Sequence, residues 1–160
     1  MVFFLTAGEC AARVVRMRAE NRWGFGAVSG CLVCGGIACT QFGAIIISGS
    51  RGTDDPTMAS LPLIAAKAEK EQGHDVVLWL WNEAVTIGRR GVADHIVGVN
   101  LTPLKDLLTA VQVAGIPIWV CGACAVARQM AESDLVSGAT IKGMPDYIVA
   151  VVERDRNIAF

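Results

Sequence analysis

Short apolar runs recur along the chain after residue 43 and have the length of buried β-strands. They cover residues 44–48, 76–81 and 116–121, and two further extended pieces follow at 139–141 and 157–160. Apolar runs in which polar residues do not occupy every second position are typical of strands covered on both faces, as in a parallel sheet between helices. We therefore predict a mainly parallel sheet, in which the run at 116–121 ends at Cys121.

Segments with helical spacing of apolar residues separate these strands. Helices are predicted at 56–72, from Pro103 to the residue before Gly115, at 123–132 and at 145–153. Asp55 followed by Pro56 is a strong helix-start signal, because the carboxylate caps free N–H groups and proline suits the first helical position. Residues 84–100 predict only a short helix and a loop. The alternation indicates a single α/β domain with helices on both faces of the sheet.

The first 42 residues differ from the rest of the chain. Arginines are frequent up to Arg22, and residues 23–50 then contain no charged side chain. The glycines within 24–43 make this segment a poor helix. We expect residues 1–42 to be a disordered extension, which an upstream start of the sequence would explain, with a membrane or export leader as the alternative. The folded domain is predicted to cover residues 43–160.

Composition limits the classes of partner. The chain has 160 residues, 53% of them hydrophobic, and a formal net charge of −1, which gives no electrostatic reason to expect nucleic acid or an anionic membrane as a partner. An apolar content of this size supports a core without disulfides, so we interpret the six cysteines as reduced thiols and expect a cytoplasmic protein.

Candidate chemistry lies where the predicted strands end. Parallel strands bring their carboxyl ends to one edge, which would gather the loops at 51–55, at 82–83 and at 121–124. Cys121 and Cys124 begin a predicted helix, where free N–H groups favour the reactive thiolate. Arg128 lies one turn beyond Cys124 and would add positive potential, or would instead pair with Glu132 at the surface.

Other interpretations of the Cys-x-x-Cys spacing remain open at this point. The same spacing serves zinc ligation, disulfide exchange or plain packing, and a second pair at Cys31 and Cys34 would complete a four-cysteine zinc site. The distance between the two pairs along the chain argues against zinc, and we predict no bound metal. Helix capping explains Asp54 and Asp55. A Gly-x-Gly-x-x-Gly fingerprint is absent, so we predict no nucleotide cofactor.

Several motifs in order resemble the DsrE/DsrF-like sulfur-relay family, which includes the TusD-type and YchN-type proteins. They are Ser-Arg-Gly-Thr-Asp-Asp-Pro-Thr at 50–57, Gly-His-Asp-Val at 73–76, Pro-Leu at 103–104, and Val-Cys-Gly-Ala-Cys-Ala at 120–125 with Arg128. The resemblance implies a flavodoxin-like (Rossmann-like) subunit that forms homotrimers or homohexamers. It also implies that Cys121 accepts sulfane sulfur as a persulfide. The family's Arg-Gly pair after the cysteine loop is Arg128-Gln129 here.

These observations lead to two function hypotheses. The first is a sulfur carrier of the sulfurtransferase type, in which Cys121 takes sulfur from a donor protein, Cys124 assists, and an acceptor protein receives the sulfur. In this hypothesis Arg51, Asp54, Glu83 and Arg128 bind the substrate. The second hypothesis is a non-catalytic oligomeric module that binds a small ligand or a protein at the same edge.

Overall fold

The computed structural model describes residues 43–160, and in this range the chain alternates strands with helices. The strands are β1 (Ala44–Gly49), β2 (Asp75–Leu80), β3 (Ile118–Cys121), β4 (Ala139–Lys142) and β5 (Arg156–Ala159); the α-helices are α1 (Pro56–Glu71), α2 (Leu104–Val113), α3 (Gly122–Ala127) and α4 (Met144–Glu153). Every strand predicted from the apolar runs is present, with boundaries that shift by at most two residues.

The five strands form one sheet in the order β4-β3-β2-β1-β5, and every pairing is parallel. Parallel pairing requires a crossover between successive strands, and the four α-helices supply the crossovers. The predicted α/β class is therefore confirmed. All five strands also point the same way, so their carboxyl ends share one edge of the sheet.

The sheet separates two apolar cores, which confirms helices on both faces. On one face, α1 and α2 pack against alternate strand residues such as Ile45, Ile47 and Leu78. On the other face, Ile46 and Trp79 pack with the residues that α3 and α4 contribute. Alternate residues of a strand point to opposite faces, so continuous apolar runs in β1 and β2 fill both cores.

Local signals set the ends of the long helices. The side chain of Asp55 accepts the N–H of Met58 at 3.0 Å, and Pro56 opens α1 as predicted. After α2, Gly115 adopts a φ of 66°, a left-handed conformation that costs glycine little and terminates helices.

The helix predicted at 123–132 is wrong in its length, because α3 ends at Ala127. Gln129 has a φ of 51° and turns the chain away, and the N–H of Met130 returns to the carbonyl of Ala125 at 3.0 Å. Glycine tolerates this left-handed conformation best, and here a glutamine adopts it.

The second strand lies one residue earlier than predicted. It ends at Leu80, and Asn82 has a φ of 53° and starts a 3₁₀ segment, Asn82–Gly88. Trp79 is buried and stacks on Tyr147 with 4.7 Å between ring centroids, whereas Trp81 lies outside the strand and is 42% exposed. Of these two tryptophans, only Trp79 is therefore a core residue.

Residues 84–100 contain the rest of this 3₁₀ segment and a second one, Ala93–His95, in place of the predicted short helix. The expectations for residues 1–42 lie outside the described residues. Within residues 43–160, no helix is both long and apolar enough to cross a membrane.

Candidate functional site

Backbone hydrogen bonds tie together the loops that follow β1 and β2. The N–H of Trp81 donates to the carbonyl of Gly49 at 3.0 Å, and the N–H of Ala84 donates to the carbonyl of Ser50 at 3.3 Å. The predicted loop at 121–124 is the end of β3 and the first turn of α3, and it joins them because the N–H of Asn82 donates to Sγ of Cys124 at 3.3 Å. The three loops expected to converge at the carboxyl edge are therefore in contact.

A glycine allows the first two loops to approach closely. A Cβ atom placed on Gly52 would lie 2.3 Å from the carbonyl oxygen of Glu83 and 2.6 Å from Oγ1 of Thr86. Real Cβ atoms do not tolerate such distances, so only glycine fits without displacing the backbone. The hydroxyl of Thr86 donates to that same Glu83 carbonyl at 2.7 Å, which fixes the start of the 3₁₀ segment.

Cys121 is the last residue of β3 and is buried, with 4% of its surface exposed. It belongs to the core on the α3 and α4 side, where Trp79, Val120 and Ala125 are also buried. The sequence places this thiol correctly at the edge of the sheet. Its burial was not apparent from the sequence, because it depends on the core that closes around the end of the strand.

Cys124 lies in the first turn of α3 and is partly exposed, and both thiols are free. The pKa of Cys124 is raised above its ordinary value, first of all by burial. The Asn82 N–H opposes this rise, while the hydrogen bond and the charge of the neighbouring Cys121 add to it, and Arg128 lowers the pKa slightly. The expectation that the helix start would favour the thiolate is therefore wrong for Cys124, because desolvation outweighs the N–H contribution.

Arg128 forms an ion pair with Glu83, not with Glu132, so the surface pairing considered from the sequence is wrong. A second guanidinium nitrogen of Arg128 donates to the carbonyl of Cys124 at 3.2 Å. The reason is the early end of α3, which turns Arg128 back towards the loop after β2. Arg128 thus connects the Cys124 backbone with Glu83, residues that lie 41 positions apart in sequence but side by side at the edge.

Asn82 is a site residue that the list of candidates missed. Its left-handed backbone directs its N–H to Sγ of Cys124, and asparagine adopts this conformation more readily than most residues. The only sequence signal is an asparagine directly after an apolar strand. That signal predicts a turn, but it does not predict which group the N–H contacts.

Arg51 and Asp54 form a separate, local arrangement. Nη1 of Arg51 lies 3.0 Å from Oδ2 of Asp54, and the N–H of Gly52 donates to Oδ1 of Asp54 at 2.8 Å. These contacts hold the pKa of Asp54 below its ordinary value, and the hydrogen bond from Gly52 has a larger effect than the one from Arg51. Among the hydrogen bonds and ion pairs of residues 43–160, none connects Arg51 or Asp54 to either thiol.

Residues 43–160 contain no group of three or more His, Cys, Asp or Glu side chains placed to hold a metal ion. Cys31 and Cys34, the other half of the four-cysteine alternative, lie outside the described residues. Two shallow surface depressions are lined by other residues, one around Trp119, Lys142 and Asp146 and one around Arg90 and Asp134. The thiols therefore do not line either depression.

The fold and the site define a small parallel α/β protein with paired thiols at the carboxyl edge of its sheet. The sequence pattern of the DsrE/DsrF-like family matches residues 44–160, and the chain belongs to this family.

Relatives and a solved structure agree with this assignment. Protein YchN of Escherichia coli K12 is 28% identical over 116 residues, which cover 72% of this chain and 96% of YchN, and YchN of Shigella flexneri matches equally well. The crystal structure of YchN from E. coli superposes with a TM-score of 0.59 at 22% identity, over 73% of this chain and 97% of that one. This likeness confirms the fold.

Proposed function

We propose that the protein is a sulfur carrier that accepts sulfane sulfur as a persulfide on Cys121 and passes it to a partner protein. Membership of the DsrE/DsrF-like family supports a role related to sulfur relay. The observation that carries the proposal is the pair of free thiols at the carboxyl edge, where three loops meet. Open α/β sheets bind their ligands at this edge.

The transfer is a thiol exchange in two balanced steps. Cys121 as thiolate attacks the outer sulfur of a donor persulfide, a sulfur–sulfur bond forms on Cys121, and the donor leaves as a thiolate. An acceptor thiolate then attacks the same outer sulfur and releases Cys121 as thiolate. No external oxidant or reductant is needed, because each new sulfur–sulfur bond replaces an old one.

Four charged residues have different parts in this proposal. Glu83 and Arg128 act as positioning residues, because their ion pair and the Arg128 bond to the Cys124 carbonyl hold the thiol loop against the loop after β2. Arg51 and Asp54 lie on the neighbouring loop, where the Arg51 side chain is 54% exposed. We assign these two to contact with the donor or acceptor protein.

The carrier is also proposed to work as a homotrimer or homohexamer in the cytoplasm, where thiols stay reduced. Exposed apolar side chains on one side of α4 support an oligomer, namely Met144, Ile148, Val149 and Val152. Sedimentation equilibrium should give a trimer or hexamer for the wild type and a smaller species for Val152→Lys. A monomeric wild type would contradict the oligomer without affecting the carrier chemistry.

The test of the carrier is the capture and release of sulfane sulfur by the full chain. After incubation with glutathione persulfide and desalting, cyanide should remove the outer sulfur as thiocyanate, close to one per chain. The matched control is the double variant Cys121→Ala, Cys124→Ser, which should yield thiocyanate only at the level of the remaining cysteines. Equal yields from both proteins would reject the carrier and leave the binding module as the better hypothesis.

A further inference from the structure

We propose that sulfur enters the protein at Cys124 and is then passed inward to Cys121, so that the two thiols form an internal relay with a fixed order. The inference rests on the proposed carrier function and adds the route that the sulfur takes. It starts from the unequal burial of the two thiols, since Cys121 is 4% exposed whereas Cys124 is partly exposed.

Access decides which thiol meets the donor. A donor persulfide has to reach the attacking sulfur along the line of the bond that breaks, and a thiol closed in by the core offers that approach far less often than one at the surface. Cys121 is packed within the core that includes Trp79, Val120 and Ala125. Cys124 stands at the rim of the same core and opens to the surface where the three loops meet.

Contacts around Cys124 suit it to release the sulfur again. The N–H of Asn82 donates to its Sγ at 3.3 Å, and the guanidinium of Arg128 lies close enough to favour negative charge on that sulfur. Both contacts favour negative charge on Sγ and offset part of the burial that raises the pKa of Cys124. A thiol with a lower pKa leaves faster, so these two contacts assist the inward step, although burial opposes it.

The Cys124 side chain packs against the buried cluster that contains Cys121, so the two thiols are neighbours. In the inward step, Sγ of Cys121 attacks the outer sulfur of the Cys124 persulfide. The bond from that outer sulfur to Cys124 breaks, the new bond to Cys121 forms, and the proton of the Cys121 thiol moves to Sγ of Cys124. The products are a Cys121 persulfide and a Cys124 thiol, and the reverse step returns the sulfur for delivery.

The order can be tested with single variants of the full chain and glutathione persulfide as donor. Trypsin should release residues 106–128 as one peptide that contains only these two cysteines, so an added mass of about 32 Da on it reports the site directly. Cys121→Ala should load on Cys124 at a rate close to that of the wild type. Cys124→Ser should load Cys121 at least about tenfold more slowly, because the buried thiol then has to meet the donor itself.

The other possible outcomes separate a failure of the relay from a failure of the carrier function. Loading of Cys124→Ser at the wild-type rate, or failure of Cys121→Ala to load, would overturn the relay while the carrier function stands. A Cys121–Cys124 disulfide with released hydrosulfide in place of a stable persulfide would also overturn it. A wild type that takes up no sulfur at this peptide would instead reject the carrier function.

A second measurement keeps the inference testable if a variant fails to fold. Brief treatment of the native wild type with N-ethylmaleimide should modify Cys124 first and leave Cys121 mainly unmodified, whereas unfolded protein should lose this order. Preferential modification of Cys121 in the native state would overturn the relay independently of the persulfide experiments.

Discussion

Two arginine–carboxylate pairs lie near the carboxyl edge, but they join residues at very different distances along the chain. Arg51 and Asp54 are three residues apart, and their ion pair lies within a single turn. Arg128 and Glu83 are 45 residues apart, and their pair joins the end of α3 to the loop after β2. The local pair shapes one loop, whereas the long-range pair positions a thiol. The proposed chemistry depends on the second kind of contact.

The largest effect is expected where the loop after β1 contacts the loop after β2. Gly52→Ala would bring its Cβ atom 2.3 Å from the Glu83 carbonyl, so backbone must move and unfolding free energy should fall by about 1–3 kcal/mol. Chemical denaturation measures this loss. Gly43→Ala is the matched control, because its nearest contact would be an ordinary 3.5 Å and its stability should change by less than about 0.5 kcal/mol. Equal effects of the two substitutions would contradict the close approach.

Alkylation of Cys124 should depend steeply on pH. Only the thiolate reacts, and burial raises the pKa of Cys124 above its ordinary value, so the thiol form dominates at neutral pH. The rate with iodoacetamide should therefore rise about tenfold per pH unit between pH 7 and 9 and should not level off before pH 9. A plateau below pH 8 would show that the Asn82 N–H and Arg128 outweigh burial.

A smaller effect should distinguish the two arginines. Arg128→Gln removes both the link to Glu83 and a cation that lowers the pKa of Cys124, so alkylation at pH 8 should slow by about threefold. Arg51→Gln is the matched control, since the Arg51–Asp54 pair is exposed and does not contact the thiols. Equal rates for the two variants would indicate that the long-range pair has no influence on Cys124.

The smallest effect is expected at the turn after α3. Gln129→Gly relieves a left-handed conformation with φ of 51° but adds freedom to the unfolded chain, so the net stabilisation should be at most about 1 kcal/mol. Thermal unfolding would measure it. A loss of more than about 1 kcal/mol would mean that the Gln129 side chain, not the backbone turn, matters at this position.

The sequence predicted those features that local chemistry determines. Apolar runs located the strands, and the Asp55-Pro56 start and Gly115 located helix ends, because caps and left-handed glycines act over a few residues. The parallel order also predicted that the three loops meet. The carboxyl edge of the sheet and its two cysteines were therefore predictable from the sequence.

Other features depended on contacts between distant segments. Helical spacing continued past Ala127, but the left-handed turn at Gln129 ends α3 early and brings Arg128 to Glu83. The burial of Cys121 and the raised pKa of Cys124 follow from the core that closes around them. No pattern within one segment reports such packing, which explains why the thiolate expectation failed for Cys124.

The central claim is that sulfane sulfur comes to rest on Cys121. The direct measurement is tandem mass spectrometry of the 106–128 peptide from wild-type protein, loaded to completion with glutathione persulfide and then alkylated to trap the persulfide. We expect an added sulfur of about 32 Da between Cys121 and its alkyl group, with Cys124 alkylated directly and carrying no added sulfur. A peptide without added sulfur, or with the sulfur only on Cys124, would contradict it.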